Sequence, residues 1–298
     1  MPSQDGRRAV VTGANSGLGL HVSLELARAG ARVTLACRSR ERGDEALALI
    51  RDEVPDAKVE VRELDLADLG SVRRFAEGTD EPLDLLVNNA GVMALPRRET
   101  ADGFEMQLGT NHLGHFALTG LLLPHLLEGD APRVVTVSSS AHGFGRIDFD
   151  DLQSERDYQR WRAYGQSKLA NLLFALELGR RAAAADSPLL STAAHPGYAA
   201  TNLQSAGPAM DGARLRGALM KVVNVVVAQS DERGALPLLY AATEDVPGGA
   251  YAGPSGFRGI RGTPTLVGMS KAAADEDTAR RLWDVSEELT GVRFALAD

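Results

Sequence analysis

Eight residues near the N-terminus, T-G-A-N-S-G-L-G from Thr12 to Gly19, restrict the fold more than any other stretch. They follow the apolar run R-R-A-V-V and precede a stretch of helical period, so the glycines fall where a strand turns into a helix. Glycine lets backbone approach a ligand closely there, and the exposed N–H groups of a helix start favour negative charge. The turn therefore predicts a phosphate-bearing nucleotide. Gly13, Gly17 and Gly19 shape the turn, and Asn15, Ser16 and Leu18 lie between them against the ligand.

The rest of the chain repeats that unit. Short β-branched or apolar runs predict strands at Ala9–Thr12, Arg32–Ala36, Lys58–Leu64, Leu83–Asn88, Arg133–Ser138 and Leu190–Ala194. Helical-period stretches predict helices at 17–29, 40–53, 68–77, 102–127, 161–185 and 212–228. Such alternation implies right-handed crossovers and an α/β fold: a doubly wound parallel sheet with helices on both faces. The 298 residues, 44% of them apolar, supply a sizeable core and are read as a single domain. Its cofactor-binding part covers 7–195, a substrate-loop region 196–270, and a C-terminal helix 275–291. That last helix carries Leu282, Val285 and Leu289 on one face and ends at Gly291. Residues 199–215 and 248–264, rich in Gly, Ala, Pro and Arg, read as mobile loops.

Several function classes fall away. A formal charge of -8, with 32 basic residues scattered among 40 acids, leaves no footprint for a nucleic-acid backbone. The single cysteine, Cys37, excludes an internal disulfide and reads as a buried small residue. His112 and His115, three apart on a predicted helix, are too few for zinc and are assigned to packing and hydrogen bonding; no metal is expected. The N-terminus runs straight into a strand pattern, and no apolar run reaches the roughly 18 residues of a membrane span. A soluble, cytoplasmic protein without a membrane anchor is the expectation.

The nucleotide can be narrowed. An acid ending the second strand would accept a hydrogen bond from the ribose 2′-hydroxyl, but residues 26–40 contain none. Arg38 and Arg40 instead follow V-T-L-A-C, where guanidinium groups match a 2′-phosphate in charge and donor geometry. NADP(H) is therefore preferred to NAD(H). Asp65 and Leu66, in E-L-D-L after the third strand, read as an adenine contact, with a cap on the helix near Asp68 the alternative for Asp65. Asn88, Asn89, Ala90 and Gly91 end the fourth strand, where small residues suit a nucleotide lying across the strand ends.

Further on, A-Y-G-Q-S-K places Tyr164 and Lys168 one helical turn apart. Together with T-G-A-N-S-G-L-G, N-N-A-G, Asn111, the strand-end S-S-S and H-P-G at 195–197, this pair resembles the short-chain dehydrogenase/reductase superfamily and its Rossmann fold. The resemblance spans roughly residues 7–255, with the motifs in the family's order. N-H-L-G-H-F, V-S-S-S-A-H and D-L-Q-S-E-R-D-Y are most similar to the branch containing retinol dehydrogenases.

The resemblance implies an NADP(H)-dependent oxidoreductase that interconverts a carbonyl and an alcohol on a hydrophobic small molecule. Its catalytic tetrad falls on Asn111, Ser139, Tyr164 and Lys168. Tyr164 would move the proton, Lys168 would bind the nicotinamide ribose, Ser139 would bond the substrate oxygen, and Asn111 would hold a water linking Lys168 to solvent. Pro196 and Gly197 would let backbone approach the nicotinamide, and Thr201 would reach its amide or phosphate. Leu203, Met210, Leu215, Leu219 and Met220 are apolar pocket candidates, although a helix over 212–228 could equally be buried or form a subunit interface. The gap from Ser139 to Tyr164 exceeds that of many relatives, and its extra residues, 143–161, are expected to form a wall or lid.

A phenol must fall by roughly 3 units, or about 4 kcal/mol, to act as a base near neutrality. An ammonium about 5 Å away supplies about 3 kcal/mol, and burial takes some back, so the cationic oxidised nicotinamide is expected to contribute. Two other readings share the glycine turn: a non-catalytic NADP(H)-sensing regulator, and a nucleotide-sugar epimerase or dehydratase. The first predicts a degraded tetrad, and the second usually spaces its glycines G-x-x-G-x-x-G. A homo-oligomer is left open.

Overall fold

The computed structural model describes residues 1–197, 230–256 and 259–296. Its frame is an eight-stranded sheet built from β1 (Arg8–Thr12), β2 (Arg32–Cys37), β3 (Val59–Glu63), β4 (Leu85–Asn88), β5 (Arg133–Val137), β6 (Leu190–Ala194), β7 (Tyr251–Pro254) and β8 (Pro264–Leu266). The spatial order is β3-β2-β1-β4-β5-β6-β7-β8, parallel except for the β7–β8 pair. Strands that are buried on both faces read as continuous apolar runs, as R-A-V-V-T and L-L-V-N do. The order reverses between β1 and β4, which opens a crevice at their carboxyl ends. Register does the rest: Val11 lies opposite Val87, so Thr12 stands beside the turn that follows β4.

One face of the sheet carries α1 (Gly17–Arg28), α2 (Arg40–Glu53) and α7 (Asp231–Thr243) over a core including Val22, Leu26, Ile50 and Leu238. The other carries α3 (Leu69–Glu77), α5 (Gly114–Leu127) and α6 (Arg160–Ala184). Over α5 and α6 lies α8 (Glu276–Thr290), whose Trp283 joins Phe116, Phe174 and Phe294 with ring centroids 4.5–6.2 Å apart. Phe116 is fully buried, and truncating such a ring to alanine costs about 3–5 kcal/mol. Gly291 ends α8 at φ 64, as its place in the sequence predicts. The buried face of α8 is Ala279, Leu282, Trp283, Ser286 and Thr290; Val285 and Leu289 pack at its margin.

Three elements differ from their sequence readings. The helix predicted over 102–127 begins only at α4 (Met106–Leu108), because the Glu105 carboxylate accepts from the N–H groups of Gln107 and Leu108 and so caps it. It then opens into a π-helical turn, Gly109–Leu113, before α5. Such one-turn insertions are costly and cluster at functional sites. Residues 251–254, expected in a mobile loop, form the buried strand β7; four residues between glycines and a proline are too few to show a period. Helix α7 contains Gly234 and Pro237, two helix breakers that disguise it in sequence. Among the described residues, no helix is long and apolar enough to cross a membrane.

Candidate active site

The carboxyl ends of the central strands open into a cavity of about 820 Å³. The glycine turn forms one end. Gly17 enters α1 at φ 55, a left-handed conformation that favours glycine. A Cβ on Gly19 would sit 2.4 Å from the Gly13 carbonyl oxygen and 2.6 Å from Asn89 Nδ2, so nothing larger fits. Asn89 in turn donates from Nδ2 to the Thr12 carbonyl, bracing the turn against the end of β4. Asn88 plays no part at the surface; it is buried and donates to Thr119. Where Ser39, Asp68, Ser230 and Asp275 cap their helices through side chains, Ser16 makes no such bond at α1. The first N–H groups of α1 thus remain open toward an anion.

The two arginines separate. Arg38 lines the cavity beside Ser39 and Arg42. Arg40 does not: its Nε bonds the Asp44 carboxylate one helical turn on, and its Nη1 donates to the Val61 carbonyl on β3. Arg42 replaces it, since four residues from Arg38 return to the same side once α2 has started. Among the described residues, neither Arg38 nor Arg42 forms an ion pair. Asp65 and Leu66 also line the cavity. Asp65 Oδ1 accepts from Ala67 N, while the cap of α3 is Asp68.

At the other end, α6 presents Tyr164 and Lys168 to the cavity, and the end of β5 presents Ser138, Ser139 and Ser140. The Ser139 side chain lies close enough to the Tyr164 hydroxyl to favour its ionised form. Ser138 is occupied elsewhere, donating to the Lys168 carbonyl at 2.7 Å, while Ser139 Oγ accepts from Ala141 N. Lys168 Nζ donates to the Val137 carbonyl at 3.1 Å and lies 5.9 Å from the centre of the Tyr164 ring. Asn111 lies behind the cavity wall in the π turn. Its Oδ1 accepts from Val92 N, and its Nδ2 donates to Val92 O and Ser167 Oγ. Pro196 and Gly197 complete the lining, whereas Thr201, Leu203, Met210, Leu215, Leu219 and Met220 fall outside the described residues.

Burial dominates the electrostatics here. It pushes the Tyr164 phenol up to about 12, against the pull of the Ser139 side chain, and draws the Lys168 ammonium down to about 8. Burial, which the sequence reading set against the pull of the lysine, therefore dominates among the protein's own groups. Lys168 faces a carbonyl rather than the phenolic oxygen, and both side chains are nearly removed from water.

The extra segment between Ser139 and Tyr164 is hydrogen-bonded to the body of the fold at several points. Gln166 holds it from α6, donating to Leu152 O and accepting from Asp148 N. Tyr158 donates to Leu95 O and accepts from Gln107 Nε2, while Gln153 accepts from Glu105 N. Its two ends, Phe144 and Trp161, line the cavity although they are 60% and 49% exposed. Phe144 lies on Gly165, where a Cβ would come within 2.7 Å of the ring, and Trp161 packs edge-on against Tyr164. Neither aromatic residue nor Met93, Ala94 and Arg42 stands out in the sequence as a cavity residue. Only the helical spacing of Arg42 from Arg38 and of Trp161 from Tyr164 offered a signal.

The chain is similar to known proteins in sequence and in fold. The sequence pattern of the short chain dehydrogenase family matches residues 7–211. Retinol dehydrogenase 14 of Mus musculus is 41% identical over 304 residues, covering 96% of this chain and 86% of its own. A crystal structure of an uncharacterized protein from Mycobacterium paratuberculosis superposes with a TM-score of 0.82 at 49% identity, covering 99% of this chain and 97% of that one. A short chain dehydrogenase from Shigella flexneri complexed with NADP superposes at 0.55 with 26% identity, covering 68% of this chain and 82% of its own.

Proposed function

The chain belongs to the short chain dehydrogenase family, and from that premise we propose that it is an NADP(H)-dependent oxidoreductase interconverting a carbonyl and an alcohol on a hydrophobic small molecule. Oxidoreductase chemistry on alcohol and carbonyl substrates comes with the family. The observation that carries the finer reading is one cavity joining the uncapped start of α1 to the Tyr164–Ser139 hydroxyl pair.

The residues present suit a nicotinamide dinucleotide. The Gly13–Gly19 contact leaves room for a pyrophosphate against the start of α1, Arg38 and Arg42 supply cations where a 2′-phosphate belongs, and Lys168 faces the same cavity. A neighbour of known structure complexed with NADP supports the phosphorylated cofactor. When bound, the nicotinamide gives or accepts the hydride and, once oxidised, carries a positive charge. Tyr164, held protonated at neutral pH, gives its proton to the oxygen of a carbonyl as hydride reaches the carbon, and takes a proton back from the alcohol in reverse. Ser139 bonds the same oxygen and steadies the phenolate. Exposed Phe144 and Trp161 at the mouth support an apolar substrate, as does a relative named for retinol.

A panel of ketones, aldehydes and alcohols assayed with NADPH/NADP+ and NADH/NAD+ in parallel tests the reading. Turnover with NADPH is expected to exceed that with NADH, and Tyr164→Phe to abolish it while NADPH binding changes less than about threefold. Carbonyl reduction is expected to hold near neutrality and fall as pH rises through about 8, where Lys168 loses its proton. Retained turnover in Tyr164→Phe overturns the mechanism, and equal use of NADH overturns the cofactor assignment.

A further inference from the structure

The two buried histidines on the helix before the catalytic end have different work. His112 Nε2 lies 2.9 Å from Ser286 Oγ, whose own hydrogen goes to Leu282 O, so the ring donates and ties the π turn to α8. It is a packing contact. His115, which is 1% exposed, spans two parts of the cavity wall instead. Its Nδ1 lies 2.9 Å from the main-chain oxygen of Asn111, and its Nε2 lies 2.9 Å from Thr12 Oγ1.

Hydrogen-bond chemistry fixes the direction of both contacts. A carbonyl oxygen only accepts, so Nδ1 carries the hydrogen. Burial, with the charge of Lys168 acting the same way and the bond to Asn111 opposing, holds the ring neutral and pulls it down to about 4. Nε2 is therefore bare and accepts from the Thr12 hydroxyl at 2.9 Å, a shorter contact than the 3.3 Å from that hydroxyl to the Val87 carbonyl. The lone pairs of that hydroxyl take the N–H groups of Asn89 and Ala90, both at 2.9 Å. One directed chain results: the turn after β4 donates to Thr12, Thr12 to His115, and His115 to Asn111. The titratable groups facing His115 are His112 on its own helix and Lys168 on α6.

The far end of the chain matters because of where Asn111 sits. Its Nδ2 donates to Ser167 Oγ, next to Lys168 on α6, and a Cβ on Gly91 would lie 3.0 Å from Asn111 Oδ1 and 3.5 Å from Lys168 Nζ, so Asn111 and the lysine pack against the same glycine. We propose that His115 is a positioning residue for proton transfer: by holding the Asn111 carbonyl from Thr12, it couples the glycine turn to the Asn111 side chain that packs beside Lys168. This rests on the reading that Tyr164 and Lys168 handle the proton.

Two near-isosteres separate the halves of the chain. His115→Asn keeps an amide N–H at the place of Nδ1 and loses reach to Thr12; His115→Gln reaches Thr12 and loses the donor to Asn111. Both variants are expected to bind NADPH within about threefold of the unaltered protein. His115→Gln is expected to lower kcat for carbonyl reduction roughly tenfold, with KM little changed, and to move the alkaline limb of the pH profile; His115→Asn is expected to keep that limb in place. Equal kinetics and unmoved pH profiles in both variants overturn the proposal. A readout free of turnover is the ¹⁵N NMR spectrum of the ring in the unaltered protein, where Nδ1 is expected to stay protonated and Nε2 bare near neutral pH. An Nε2–H tautomer also overturns it. Running Tyr164→Phe alongside keeps the two readings distinct, because turnover surviving in that variant defeats the tyrosine mechanism while the tautomer still tests the hydrogen-bond chain.

Discussion

At the end of the cavity formed by the glycine turn, where the nucleotide is proposed to lie, the close contacts are made by backbone: Gly19 against the Gly13 carbonyl, and the N–H groups of α1 that no side chain caps. At the substrate rim the work passes to side chains from distant segments, with Gln107 and Tyr158 joining residues 94–108 to the wall that carries Phe144 and Trp161. A backbone contact tolerates almost no change in residue, since any side chain adds atoms where none fit. A side-chain network tolerates more, because its bonds are several and each is worth only about 1 kcal/mol net. The contrast implies that the rim accepts substitution more readily than the glycine turn.

That contrast is open to test. The largest effect is expected from Gly19→Val, whose added carbons would displace the Gly13 carbonyl and Asn89. NADPH affinity measured by titration calorimetry is expected to drop at least about a hundredfold; binding that survives within about tenfold breaks the claim that backbone shape rules this end. A middle-sized effect is expected at the arginines. Arg38→Gln and Arg42→Gln should each weaken NADPH about tenfold with NADH unchanged, whereas Arg40→Gln, paired with Asp44 outside the cavity, should change both less than about twofold. A loss of NADPH preference in Arg40→Gln returns the site to the arginine pair expected from sequence.

The smallest effect belongs to the rim. Tyr158→Phe removes the bond donated to Leu95 O and the one accepted from Gln107, for about 1–2 kcal/mol and a fall of a few degrees in Tm. KM for bulky carbonyls should rise severalfold while NADPH affinity holds. If cofactor affinity falls as much as KM rises, the two ends are not independent.

Local chemistry was legible before any fold was known. The strand-turn-helix glycines, the strand-end serines, Tyr164 four residues before Lys168, and the cap at Gly291 each act within a few residues, so their spacing carries the information. Arg40 was misread for a reason of the same scale: adjacency in sequence made it look like a partner of Arg38, but the start of α2 turned it toward Asp44 and brought Arg42 round instead. Strand β7 and helix α7 were hidden because one is too short to show a period and the other carries Gly234 and Pro237.

The sequence by itself determined the first six strands, most of the helices between them and the glycine turn from strand to helix, because each depends on periodicity or on contacts one turn away. Only the tertiary structure decided that Asn111 lies in a π turn, that His115 joins it to Thr12 across 103 positions, and that the extra segment is bonded to Gln166 of α6. It also decided the sign of the Tyr164 shift, since burial is a property of everything packed around a side chain and no residue's neighbours in sequence report it.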